Sequence, residues 1–143
     1  MISTRGRYAL SFMLDVLDHY NGQPVRLKDV AFRQELSEKY LEQIAITLRK
    51  SGLLGSSRGS SGGYYISRDA NEICVGEILR VMEGNLAPAP CMQENNQCEK
   101  KSKCINVVLW GKMNDAINSV IDSITLADMQ EWEQEAEREL IEE

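Results

Sequence analysis

From Thr4 to about Tyr20, apolar side chains fall at Ala9, Leu10, Met13, Leu14 and Leu17, with Phe12 and Val16 widening the stripe. This three-and-four spacing is one broad helical face. The helix is expected to end near Asn21-Gly22. After Pro24, Leu27, Val30 and Ala31 repeat at the same spacing, which predicts a short second helix running to Phe32 or Gln34. A break at Glu35-Leu36 follows. Ser37 suits the N-cap of a third helix, where Leu41, Ile44, Ala45 and Leu48 stand at i, i+3, i+4 and i+7 to about Lys50.

Ser51-Gly52 stops that helix, and Leu53-Leu54 opens a short strand leading to Gly59, Ser60, Ser61, Gly62 and Gly63. Tyr64-Tyr65-Ile66 returns as a second strand, so a hairpin with a glycine-rich tip directly follows the helices, as in a wing. Val75, Ile78, Leu79 and Met82 mark a fourth helix ending at Gly84, with Cys74 at its cap position as a small buried thiol. Pro88 and Pro90 then lead into a segment carrying Cys91, Cys98 and Cys104. From Ile105, the residues Leu109, Met113, Ile117, Val120, Ile121 and Ile124 make a single apolar seam. A seam of this length is expected to bury itself against a second copy, giving a twofold dimer. Thr125 and Asp128 read as the N-cap and N3 residues of a last, acidic helix. The expected fold is mainly α with a small two-stranded β wing: a winged helix-turn-helix over 1–84, a cysteine-containing sensor loop over 85–104, and a dimerisation helix with an acidic C-terminal helix over 105–143.

With its apolar face docked inward, the third helix turns Glu38, Lys39, Glu42, Gln43 and Arg49 outward. Such a face suits the DNA major groove: Gln43 can pair an adenine edge, carboxylates such as Glu42 can accept from cytosine N4, and Ser37 lies close to phosphate. Arg58 on the wing is placed to enter the minor groove, while Ser3, Thr4, Arg5 and Arg7 offer hydroxyl, guanidinium and helix N-terminal N–H groups to phosphate.

Net charge changes this picture only when resolved along the chain. The total is −6, yet residues 1–70 hold ten Lys/Arg against seven Asp/Glu, whereas 71–143 hold six against fifteen. The basic excess therefore coincides with the expected DNA-binding region, and the acidic excess gathers between Glu131 and Glu143 as a solvated tail. No apolar run approaches the roughly 20 residues needed to span a bilayer, and no export signal is evident, so a soluble, cytoplasmic protein is expected. No nucleophile–base pair or phosphate-binding glycine loop points to an enzyme, and the sole histidine, His19, reads as a residue at the end of the first helix.

The segments STRGRYAL, LSEKYLEQI, LRKSGLLGSSRGSSGGYYI and VGEILRVMEG resemble the bacterial IscR/NsrR/CymR family of winged-helix transcriptional regulators over nearly the whole chain, to about Met129. The resemblance implies a homodimer that binds double-stranded DNA at a palindromic operator, as a repressor. It also implies a base-reading set of Ser37, Lys39, Glu42, Gln43 and Arg58. Three positions depart from the family pattern: Arg26 replaces a capping Ser or Thr, Glu35 replaces a turn Gly, and Ser61 interrupts the wing glycines.

Cys91, Cys98 and Cys104 follow a C-x6-C-x5-C spacing, too wide for a zinc knuckle built on C-x2-C pairs. Clustered thiols in a loop with Lys100, Lys101 and Lys103 can hold a soft metal centre or be oxidised. The resemblance implies that the three cysteines hold an iron–sulfur cluster, of 2Fe–2S type. The familiar fourth ligands are absent: Val107 stands where a histidine lies in one branch, and Arg7 aligns with an acidic residue of another. Glu94, Glu99, a carboxylate from the partner subunit, a small thiol or a backbone group are the remaining alternatives. The expected function is a homodimeric regulator whose operator affinity follows the cluster or thiol redox state; the alternative is a cluster-free regulator of the cysteine-metabolism type, controlled by a partner protein.

Overall fold

The computed structural model describes residues 1–93 and 98–142. In chain order these form α1 (Thr4–His19), α2 (Leu27–Gln34), α3 (Glu38–Lys50), β1 (Leu54–Ser57), β2 (Gly63–Ile66), α4 (Val75–Glu83), α5 (Asn106–Ser123) and α6 (Leu126–Glu142). Short 3-10 turns lie at Ala70–Glu72, Pro90–Met92 and Lys101–Lys103. This is the expected mainly α architecture with a two-stranded antiparallel wing.

The helix boundaries follow local chemistry. Ser3 caps α1 by accepting from the Gly6 N–H at 3.2 Å, and Ser37 caps α3 by accepting from the Tyr40 N–H at 3.1 Å. Both satisfy amide donors that a helix start leaves unpaired. Between α2 and α3 the chain turns at Glu35, whose φ of 55° and ψ of 42° are left-handed. Glycine takes that conformation without strain; a residue with a Cβ does not.

Phe12, Met13, Val16, Leu41, Ile44, Leu48, Leu53, Ile73 and Ile78 are fully buried in one core shared by α1, α3, α4 and the base of the wing. Each such side chain contributes about 1.5–3 kcal/mol on removal from water. Phe12 also meets Tyr64 of β2 edge-to-face, with ring centroids 5.9 Å apart. The wing pairs Leu54 with Ile66 and Ser57 with Gly63. Val25 extends this ladder by exchanging hydrogen bonds with Tyr64 at 2.8 and 2.7 Å. Gly63 is required there because a Cβ would meet the Val25 carbonyl.

Asp15 is the buried charge of this core, on the otherwise apolar face of α1. Arg33 of α2 grips its carboxylate through Nη2 at 2.6 Å and Nε at 3.1 Å, and Gln34 Nε2 adds a contact at 2.9 Å. One carboxylate thus fixes α2 against α1. His19 sits at the end of α1 as expected, with Nδ1 2.9 Å from the Asp15 carbonyl oxygen.

The long seam divides in two. Ile121 is buried against Val75 and Leu79 of α4, with Ile117 and Ile124 partly buried beside it, because α4 carries a second apolar stripe that the main core does not use. Arg80 clamps the same junction, donating to the two Asp122 oxygens at 2.6 and 2.9 Å and to Asn118 Oδ1 at 2.9 Å. Its guanidinium holds the Asp122 carboxyl below the usual carboxylate range. Cys74 is half-buried rather than buried: its Sγ lies 3.8 Å from Asp122 Oδ1, at the edge of this ion pair. Elsewhere on the helix, Ile105, Val108, Leu109, Met113 and Val120 stay exposed, from 41% to 81%.

Thr125 and Asp128 form the expected capping box, with Thr125 N–H to Asp128 Oδ2 at 2.9 Å and Asp128 N–H to Thr125 Oγ1 at 3.0 Å. Leu126 of α6 is fully buried in the main core. Residues 131–142 are exposed, although Gln130 Nε2 reaches Asp18 Oδ1 of α1 at 2.8 Å. Glu133 and Asp18 line one cleft, and the Glu133 carboxyl is raised to about 7, first by sharing a proton with Asp18, then by partial desolvation on that side and by the negative charges of Asp18, Glu137 and Asp15.

Candidate nucleic-acid interface and cysteine segment

Ser37, Glu38, Lys39, Glu42 and Gln43 are all exposed on α3, while Leu41, Ile44, Ala45 and Leu48 of the same helix are buried. Burial of the apolar stripe therefore leaves the N-terminal half of α3 with its varied polar face open. The start of α1 is drawn to it: Arg5 Nη2 donates to Thr47 Oγ1 at 3.1 Å. Thr47 lies one turn after Gln43 and donates its own hydroxyl to the Gln43 carbonyl at 3.1 Å. Arg5 and Gln43 are thus brought to one face, and the Tyr8–Tyr40 ring pair, 5.9 Å apart and nearly perpendicular, holds α1 and α3 together beneath it.

Thr4 and Arg7 are exposed on the first turn of α1, with Arg7 Nη2 donating to Thr4 Oγ1 at 3.1 Å. Ser3 has a different engagement. Its N–H and hydroxyl both donate to Glu83 Oε1, at 2.9 and 2.5 Å, while its oxygen caps Gly6. The Ser3 hydroxyl is therefore committed within the fold, tying the start of α1 to the end of α4. Gly6 is buried at this crossing, where a Cβ would meet the Glu83 carboxylate.

Arg58 is exposed just before the left-handed Gly59, whose φ is 105°. The base of the wing is linked to α3 by Arg49 Nη1 to Ser56 Oγ at 3.2 Å. Arg49, expected on the outward face of α3, is exposed there and serves the wing base, whereas Thr47, Gly6 and Glu83 carry no assignment from the sequence. Thr47 had a usable signal, the four-residue step from Gln43 along an outward face.

The cysteine segment, 85–104, follows Gly84, the C-cap of α4 directly after Glu83. Cys91 lies in the 3-10 turn Pro90–Met92, and Cys104 closes the turn Lys101–Lys103. The Cys98 carbonyl accepts from Lys101 N–H at 3.2 Å. Cys91 and Cys104 are half-buried and Cys98 is exposed. Three thiols suit iron and sulfide as ligands. Among the described residues no three His, Cys, Asp or Glu side chains converge as a metal site, so the arrangement seen is an open one. Glu99 is exposed, and Glu94 lies outside the described residues. Val107, half-buried at the start of α5, offers no donor, and Trp110 is half-buried beyond it. A polar cleft of about 470 Å³, lined by Arg80, Asn85, Gln93, Asn114 and Asn118 among others, lies between this segment, α4 and α5.

No helix among the described residues is long and apolar enough to cross a membrane. The Rrf2 family, described as "Iron-dependent Transcriptional regulator", matches residues 2–131. The HTH-type transcriptional regulator IscR of Yersinia pseudotuberculosis is 38% identical over 128 residues, 90% of this chain and 77% of that protein. Among solved structures, IscR of T. potens superposes with a TM-score of 0.76 at 41% identity, covering 95% of this chain and 90% of its own. CymR, the global cysteine regulator of B. subtilis, gives 0.76 at 37% identity, covering 92% and 97%. With a DNA-reading fold and relatives that are regulators rather than enzymes, the chain belongs to the Rrf2 family of transcriptional regulators.

Proposed function

We propose that the chain is a homodimeric repressor that reads a palindromic operator and whose affinity is set by the state of Cys91, Cys98 and Cys104. Lys39, Glu42 and Gln43 meet base edges. Ser37, Thr4, Arg5 and Arg7 meet phosphates, Ser3 holds the start of α1 in place, and Arg58 enters the minor groove. The observation that carries this reading is the Arg5–Thr47 hydrogen bond, which joins the basic start of α1 to the open face of α3. Guanidinium groups grouped beside a recognition helix set register on the duplex, while the helix reads sequence.

The exposed Ile105, Val108, Leu109, Met113 and Val120 support pairing of two α5 helices. An apolar strip of this kind is costly in water and is covered by a copy of itself in a twofold dimer. The three thiols would hold an iron–sulfur cluster of 2Fe–2S type, which when bound supplies thiolate bonds that tie the loop into one arrangement and that oxidation undoes. The chain's own part is mechanical: the loop adjoins Glu83, Glu83 holds Ser3, and Ser3 starts the helix that bears Thr4, Arg5 and Arg7.

A second reading follows from the same segment. Val107 is not a ligand and the described donors do not converge, which favours a cluster-free regulator of the cysteine-metabolism type, controlled by a partner protein. One experiment separates the readings: purification without oxygen, measurement of iron, sulfide and visible absorption, and titration of a palindromic DNA fragment at several salt concentrations. Iron and sulfide with salt-dependent DNA binding support the first reading. Salt-dependent DNA binding by the isolated dimer counts against the partner-controlled reading, and the absence of iron together with DNA affinity unchanged on thiol oxidation overturns the sensing half of the first.

A further inference from the structure

We infer that Arg26 is a positioning residue for the wing: from the start of α2 it clasps the wing tip and so presents Arg58 to DNA. This rests on the reading of Arg58 proposed above. Arg26 occupies the N-cap position of α2 yet gives that helix no side-chain cap. Its Nη2 donates instead to the Ser60 carbonyl, 3.1 Å away across 34 residues.

The rest of the wing explains why one hydrogen bond has leverage. Its base is secured by the Val25–Tyr64 pair and by Arg49 to Ser56. Beyond the last ladder pair, Ser57 with Gly63, residues 59–62 are two glycines and two serines, and glycine has the most backbone freedom to lose. Within the tip, Gly62 N–H closes on the Gly59 carbonyl at 3.0 Å. Among the described residues, the side chain from outside the hairpin that hydrogen-bonds to residues 58–62 is Arg26. The short link Val25-Arg26 does both tasks, because the ladder at Val25 brings the guanidinium of the next residue beside the tip.

A Ser or Thr at position 26 would cap α2 and leave the tip untethered; arginine exchanges the cap for the clasp. A tip ordered in the free protein has less freedom to lose on DNA, so the clasp acts on affinity through pre-organisation. Its action runs through Arg58, and the side chain itself makes no contact with DNA.

The test measures operator binding for wild type, R26A, R26K, R58A and R26A/R58A across a salt series, with thermal unfolding and amide hydrogen exchange of the free proteins. R26A is expected to weaken binding about threefold to tenfold, the range of one hydrogen bond, with R26K recovering part of the loss. Unfolding temperature stays within about 2 °C, and the slope of affinity against salt is unchanged. In the R58A background, removing Arg26 has less than about a twofold effect, as coupled residues require. Exchange at residues 58–62 speeds up in R26A while α2 and the β-ladder stay protected. Independent effects of the two substitutions, or a salt slope lowered by about one, would make Arg26 a phosphate contact and overturn the proposal. Unchanged exchange at the tip overturns the clasp whatever Arg58 does. Wild-type binding by R58A would instead overturn the reading of Arg58, with the exchange data still deciding the clasp.

Discussion

Glu83 accepts both the backbone N–H and the hydroxyl of Ser3, at 2.9 and 2.5 Å, across 80 residues of chain. Its carboxylate thereby lies at the N-terminus of α1, where the helix dipole favours negative charge. Glu83 is also the last residue of α4, and Gly84 after it, at φ 77°, caps the helix and leads into the cysteine segment. The contact is the short path between the segment proposed to sense and the helix start proposed to hold phosphate.

Disturbing this contact should reduce DNA affinity more than stability. In G6A the new methyl group displaces the Glu83 carboxylate, while replacing a helical glycine returns about 0.5–1 kcal/mol of helix stability. Operator affinity should fall about fivefold, the scale of one ordinary hydrogen bond, with little change in unfolding temperature. E83Q, which keeps a weaker acceptor, should fall between wild type and E83A. Equal affinity for wild type, G6A and E83A would remove Glu83 from the path.

Base reading and phosphate contact should separate by salt and sequence. Q43A should lose about 1–3 kcal/mol of discrimination at one base pair of each half-site and keep the wild-type salt slope. R7A should weaken all sequences alike and lower the slope by about one. Binding titrations against single-base operator variants measure both.

The left-handed Glu35 stores removable strain. E35G should stabilise the fold by about 1 kcal/mol, read as a higher urea midpoint with an unchanged m-value. E35A keeps a Cβ at φ 55° and should bring no such gain.

Glu133 should make stability fall with rising pH. Its folded carboxyl is raised to about 7 from an ordinary 4.5, first by the proton shared with Asp18. The folded state therefore binds the proton more tightly than the unfolded one, and stability is lost as pH climbs from 4.5 through 7. The contribution is present in full below the ordinary value and absent above the raised one. Denaturation curves across that window should show E133Q with a flatter dependence than wild type.

Local signals were legible in the sequence where a few neighbouring residues determine the outcome. Ser37, the Thr125–Asp128 box and the stripe Leu41, Ile44, Ala45 and Leu48 all rest on contacts within one or two helical turns. The links that assemble the site do not: Arg5 to Thr47 spans 42 residues and Ser3 to Glu83 spans 80. Nothing near either partner encodes such a meeting. The seam on α5 was read as one surface because its spacing is continuous, whereas its division depends on Val75 and Leu79 of α4 presenting a second apolar stripe. Asp15 could have been noticed, since a charge within the apolar face of α1 requires a partner; that the partner is Arg33 emerges only from packing.

If the three-cysteine segment governs operator affinity, the affinity must follow the state of its thiols. The direct measurement is the operator dissociation constant of one oxygen-free preparation before and after its thiols are oxidised and any iron is removed, at fixed salt, with C91A/C98A/C104A as control. Wild type should change in affinity by at least about fivefold, within the usual range of coupling between two sites, and the triple variant not at all. Equal affinity in both wild-type states would contradict it.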